Sequence, residues 1–209
     1  MYSNERNDDL LIVKAITHEF TRATIAFFNF LDLSEKKHLK PDQHNNSKTN
    51  YFMYNAYGSF ISHLYEYQKG CIKRELRKYR AYKINKIDEL INNELNRLLN
   101  KCITLIENNE APAWIDSHRK NFYKIGAPAE FGKNFREVRD YLAHVDLERI
   151  RSESRLSLGE FYLKYHNYII IIFQFGREYW EEKINELNNK DLSDITEFAS
   201  IIERKFYNT

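Results

Sequence analysis

Apolar residues recur at steps of three and four along most of the chain, the spacing of helices that bury one face. Val13, Ile16, Phe20, Ala23, Phe27 and Leu31 make one face of a long first helix, with Asp8 or Asp9 as its N-cap and an end near Ser34. The polar stretch 35–50, which contains Pro41, reads as a loop. A second helix starts near Tyr51 and carries Tyr57, Phe60, Leu64, Tyr67 and Cys71. Gly58 and Gly70 are its weak points, since an interior glycine costs about 1 kcal/mol. A third shows Ile84, Ile87, Ile91, Leu95, Leu98, Cys102 and Ile106 on one face.

Residues 107–129 hold Pro112, Gly126 and Pro128 and read as an irregular connection with a short helix at 116–123. A fourth major helix covers 129–145, and 146–157 is a loop or frayed turn. A long helix follows, with Phe161, Tyr165, Ile169, Ile172, Gly176, Tyr179 and Leu187 at helical spacing. Gly176 would let a neighbouring helix approach closely. Asp191 or Ser193 caps a last helix carrying Ile195, Phe198, Ile202 and Phe206. The run Ile169 to Ile172 is β-branched, but its flanks keep the helical period, so it reads as buried helix. Strand-like alternation and internal repeats are both missing. The expected fold is all-α: an antiparallel bundle of five to seven helices in one domain, 1–209.

Composition narrows the class. Six Gly and three Pro in 209 residues are too few for sandwiches, barrels or low-complexity linkers. At 43% hydrophobic and 15% aromatic the chain can build a core, which argues against disorder. A net charge of +2 excludes a generally basic, DNA-coating protein while leaving room for a local basic patch. Cys71 and Cys102 make no disulfide framework and read as small apolar side chains in a reducing compartment. The first ten residues are charged and lack the apolar run of a secretory signal. Tyr168 to Phe173 is far shorter than the ~20 residues of a membrane span. A soluble, cytoplasmic protein is expected, without a membrane partner.

The informative segment is 135–146, FREVRDYLAHVD. On a helix, Phe131, Phe135, Val138, Leu142 and Val145 fall in one stripe, the core face. Asp140 and His144, four apart, lie together on the far side, with Glu137 one turn back and Arg139 on the flank. This outward row becomes useful when another surface covers it, and a two-fold partner helix is the simplest one.

Arg139-Asp140-Tyr141-Leu142-Ala143-His144 resembles the signature of HEPN domains (higher eukaryotes and prokaryotes nucleotide-binding): an Arg, a polar follower, intervening residues and a His. The Leu-Ala pair before the His and the all-helical context are also similar. The resemblance spans about 51–187, with the first and last helices as additions. It implies a metal-independent, homodimeric endoribonuclease of the kind found among toxins and phage-defence effectors, with RNA as substrate, no cofactor, and a cognate antitoxin or inhibitor protein as a further partner. His144 would be the general acid/base, suited by its pKa range. Arg139 would hold the phosphate oxygens in the transition state. Asp140 would orient His144 or position Arg139. Position 146 is Asp, where a subset of these toxins carries a Tyr that an antitoxin modifies, so that regulation is not implied.

Other features have plainer readings. Residues 69–86 hold Lys73, Arg74, Arg77, Lys78 and Arg80 among eight cations, with Tyr79 and Tyr82 interleaved. They are candidates for RNA backbone contact, with a solvated helix face as the alternative. His63 and Glu66 would line a site beside Asp140 or form a pair within their own helix, the second being preferred. The remaining histidines show no ligand-like spacing, so no metal is expected. Against the ribonuclease stand two alternatives. One is a catalytically silent module binding a nucleotide, RNA or protein; the other is a purely structural dimer interface.

Overall fold

The structure, a computed structural model, describes residues 2–40, 46–77, 84–143, 156–186, 198 and 201–202. Among the described residues there are six α-helices, one short 3-10 helix and no strand. They are α1 (Tyr2–Leu39), α2 (Ser47–Glu75), α3 (Ile84–Glu107), the 3-10 turn Ser117–Arg119, α4 (Lys120–Ile125), α5 (Phe131–Ala143) and α6 (Leu158–Glu186). The expected all-α bundle is what the chain forms. None of the described helices is long and apolar enough to cross a membrane.

Several boundaries differ from the expectation. α1 begins at Tyr2, so Asp9 lies inside the helix rather than capping it, and it binds Arg74 on α2 instead. α1 also runs on through the polar 35–39 stretch, where Lys36 donates to Asp32 one turn back and Lys37 reaches Asn50 on α2. Local pairs of this kind sustain a last turn that buries little. α2 starts at Ser47 because the Asn46 side chain accepts from the Thr49 N–H at 2.9 Å. α6 opens on a capping box, with the Ser157 N–H donating to Glu160 and the Glu160 N–H to Ser157 Oγ. The expected last helix is described only at Phe198, Ile201 and Ile202, which are helical and exposed.

α1 and α2 run antiparallel, pinned at one end by Asp9 with Arg74 and at the other by Lys37 with Asn50. α6 lies against both. Phe20 and Phe27 of α1, Phe60 and Tyr67 of α2, and Phe173 of α6 form one aromatic cluster with ring centroids 4.7–5.7 Å apart. A second cluster, Phe131, Phe135, Phe161 and Tyr165, fastens α5 to α6. Such tilted and edge-on pairs add to the stabilisation from burial. Ile169, Ile171 and Ile172 are buried helix, as expected.

On α1 and α6, one expected core position each is exposed. Leu31 is replaced by Phe30, which packs on Tyr57, because strict steps of four drift around a 3.6-residue helix. Tyr179, three residues after Gly176, is exposed, and its neighbour Trp180, four residues after that glycine, is buried instead at 2% exposure.

Candidate functional site

α5 is positioned from its N-terminal end. Gly126, with φ of 82°, ends α4, and Asn96 on α3 accepts the following Ala127 N–H. Asn92, one turn earlier on α3, donates to the Ala129 carbonyl at 2.6 Å and accepts the Gly132 N–H at 2.7 Å. One amide side chain thus satisfies a free donor of the first turn of α5. Gly132 itself must be glycine, since a Cβ would stand 2.2 Å from the Asp88 carbonyl oxygen. Backbone meets backbone here, and α5 is set tightly on α3. Its core stripe then seats as expected: Phe131, Phe135 and Val138 are buried, and Leu142 is partly buried against the core.

Arg139 lies on the flank of that stripe with its side chain 28% exposed. Its Nη1 donates to Asp140 Oδ1 at 2.7 Å and its Nη2 donates to Glu66 Oε1 on α2. Asp140 is more exposed, at 41%. Its other oxygen is 3.5 Å from Arg136 Nη1, and Arg136 donates from Nε to both oxygens of Asp88 on α3 at 3.1 Å. Glu66 in turn accepts from Lys69 Nζ at 3.2 and 3.1 Å. A chain of alternating charge therefore crosses three helices: Asp88, Arg136, Asp140, Arg139, Glu66, Lys69. Beneath it lies the buried ring of Tyr65, with the Arg139 guanidinium 5.8 Å and Lys69 Nζ 6.0 Å from its centroid.

The electrostatics follow from this arrangement. Burial works against the charge on Arg139, but the Asp140 hydrogen bond and the Glu66 carboxylate outweigh it and hold the guanidinium more firmly protonated than usual. Burial of Tyr65, reinforced by the Asp88 and Glu66 charges, pushes its hydroxyl well above the ordinary range, so the ring stays neutral.

Of the expected catalytic residues, Arg139 and Asp140 are adjacent and hydrogen-bonded, and His144 lies outside the described residues. The preferred pairing of His63 with Glu66 is not the one formed. His63 binds Glu19 on α1 at 2.8 Å, while Glu66 turns to Arg139 and Lys69. Each side chain takes a partner on a neighbouring helix in place of the local one. Lys69 opens the basic run 69–86, whereas Asp88, Arg136 and Tyr65 do not stand out in the sequence, although the four-residue step from Arg136 to Asp140 points to one of these contacts.

The basic run is divided. α2 stops at Glu75, and Arg77 takes a positive φ of 49°. Arg74 donates to both oxygens of Asp9, a pairing that holds Asp9 below the usual carboxylate range. It is thus occupied within the fold. Lys73 is half-buried and Arg77 exposed, while Lys78 and Arg80 lie outside the described residues. Elsewhere, a groove of about 500 Å³ between α1 and α2 is lined by residues that include Ala26, Phe52, Ala56 and His63. Among the described residues no group of three or more His, Cys, Asp or Glu side chains is placed to hold a metal ion.

No protein-family model, curated protein or solved structure matches the chain.

Proposed function

We propose that the chain is a metal-independent endoribonuclease of HEPN type, acting in the cytoplasm as a homodimer and serving as a toxin or phage-defence effector. The observation that carries this reading is the Arg139–Asp140 pair, partly exposed on α5 and followed four residues later in the sequence by His144. In the proposed reaction the His144 imidazole takes the proton of a ribose 2′-hydroxyl. The 2′-oxygen attacks the adjacent phosphorus and the bond to the 5′-oxygen breaks. An imidazolium from the second copy of the motif returns a proton to the leaving oxygen. Arg139 stabilises the added negative charge on the phosphoryl oxygens, and Asp140 fixes the guanidinium in place. The products are a 2′,3′-cyclic phosphate and a 5′-hydroxyl.

The deciding experiment is cleavage of a labelled structured RNA by purified protein in EDTA, beside Arg139→Ala and His144→Ala. The expected result is cutting by the unaltered protein alone, with cyclic phosphate ends. Equal cutting by all three, or none, removes the assignment.

One observation favours a second reading, a catalytically silent binding module. Arg139 already has two carboxylate partners, and the ion-pair chain around it closes without a substrate. Binding of RNA or a nucleotide without cleavage, lost in Arg139→Ala, would select that reading.

A further inference from the structure

Glu66 is the one carboxylate in the network that two cations from different helices share. Lys69 Nζ donates to both of its oxygens, and Arg139 Nη2 donates to one. Both cations rest on the same Tyr65 ring, which is 3% exposed and wedged edge-on against Phe135. The platform under them is therefore part of the core and stays put whatever Glu66 does. Glu66 is 29% exposed on a flexible stem and can turn outward into water. Arg136 is engaged with Asp88 and Asp140 and does not follow it. Turning Glu66 out leaves Lys69 and Arg139 facing an empty acceptor position, with Asp140 neutralising only one of their two charges.

We propose that the position filled by the Glu66 carboxylate is a phosphate site. Lys69 works there beside Arg139, and Glu66 is the resident anion that an RNA phosphodiester displaces. A carboxylate and a phosphoryl group offer the same geometry of paired acceptor oxygens to a guanidinium and an ammonium. At rest the network is neutral and attracts no polyanion. With the phosphodiester in place, the carboxylate moves to solvent and both cations stay paired. The inference rests on the reading of Arg139 as the phosphate contact and assigns Lys69 and Glu66 to the same site.

The test is binding of the full chain to a fluorescent single-stranded RNA that is 2′-O-methylated at every residue and so resists 2′-hydroxyl cleavage. Glu66→Gln keeps the size of the side chain and is expected to bind about tenfold more tightly at low salt. Lys69→Ala is expected to bind more weakly, with a salt dependence reduced by about one phosphate contact. Glu35→Gln, exposed near the C-terminal end of α1, removes the same charge outside the network and should change little. Inorganic phosphate should compete better than chloride at equal ionic strength. Unchanged or weaker binding by Glu66→Gln, equal gains in Glu66→Gln and Glu35→Gln, or a neutral Lys69→Ala would overturn the proposal, as would equal competition by the two salts. Matching thermal melts exclude misfolding as the cause. Because the probe cannot be cut, the site can stand where the ribonuclease reading falls. Conversely, cleavage that needs Arg139 and His144, with binding indifferent to Glu66 and Lys69, would keep the ribonuclease and overturn the phosphate site.

Discussion

Gly176 on α6 and Phe20 on α1 approach so closely that a Cβ on the glycine would lie 2.6 Å from the ring. The same atom would be 3.2 Å from the Tyr67 hydroxyl of α2, so three helices converge on one missing methyl group. Replacing glycine by alanine inside a helix ordinarily gains up to about 1 kcal/mol. Here overpacking wins, because Phe20 is 1% exposed and its ring has nowhere to move. Gly176→Ala is expected to lose about 1–3 kcal/mol in urea unfolding. Gly159, on the same helix, has no neighbour closer than 3.9 Å, so Gly159→Ala should be neutral or stabilising. Equal effects at the two positions would refute the packing argument.

Asn92 holds the start of α5 through two hydrogen bonds. Asn92→Ala leaves the Gly132 N–H and the Ala129 carbonyl without that partner and should cost about 1–3 kcal/mol. Hydrogen exchange at the Gly132 amide should quicken. Asn92→Asp retains the acceptor and should protect that amide while losing the bond to Ala129. No change in exchange for the alanine variant would show that the turn is held by other contacts.

His166 sits between Tyr57, whose hydroxyl lies 3.0 Å from Nδ1, and the stacked ring of Tyr162. Burial lowers its pKa from the usual 6.5 to about 4. The folded state thus favours the neutral ring. Its contribution is complete above pH 6.5 and declines as the pH falls towards 4, because the unfolded chain takes up a proton that the folded one resists. Each pH unit in that window removes up to about 1.4 kcal/mol. His166→Gln keeps a hydrogen-bond partner for Tyr57 and should flatten the fall. Parallel stability profiles for the two proteins between about pH 7 and 4.5 would contradict this.

Cys102 has no exposed surface, and burial pushes its thiol up to about 11. Reaction needs a thiolate and access, and the fold withholds both. Alkylation of Cys102 at about pH 8 should therefore be negligible in the native protein and complete in denaturant. Rapid native labelling, located by peptide mass, would show that α3 opens readily.

The stripe of α5 was legible because it depends only on spacing: Phe131, Phe135 and Val138 announce their face without knowledge of any neighbour. The same holds for the outward flank that carries Arg139 and Asp140. Glu66 was legible as a residue that could line a site beside Asp140, but its spacing favoured the pairing with His63 that does not form. Its choice between His63 and Arg139 depends on how α2 and α5 lie side by side, which no single helix encodes. Leu31 misled for a related reason, since a step of four keeps pace with the helix for only a few turns. The polar end of α1 had no apolar pattern to betray it and is helical through pairs such as Lys36 with Asp32.

The contact of Phe20 with Phe173 joins positions that lie most of the chain apart. Closing so long a loop carries an entropic cost that is recovered only when both partners exist. On a ribosome, α1 and α2 can zip together as a hairpin soon after they emerge, yet Phe20, Phe27 and Phe60 keep one side open to water until α6 arrives. The order of synthesis thus separates an early hairpin from a late seal, and in that interval the nascent protein displays an aromatic face of the kind that chaperones or aggregates capture.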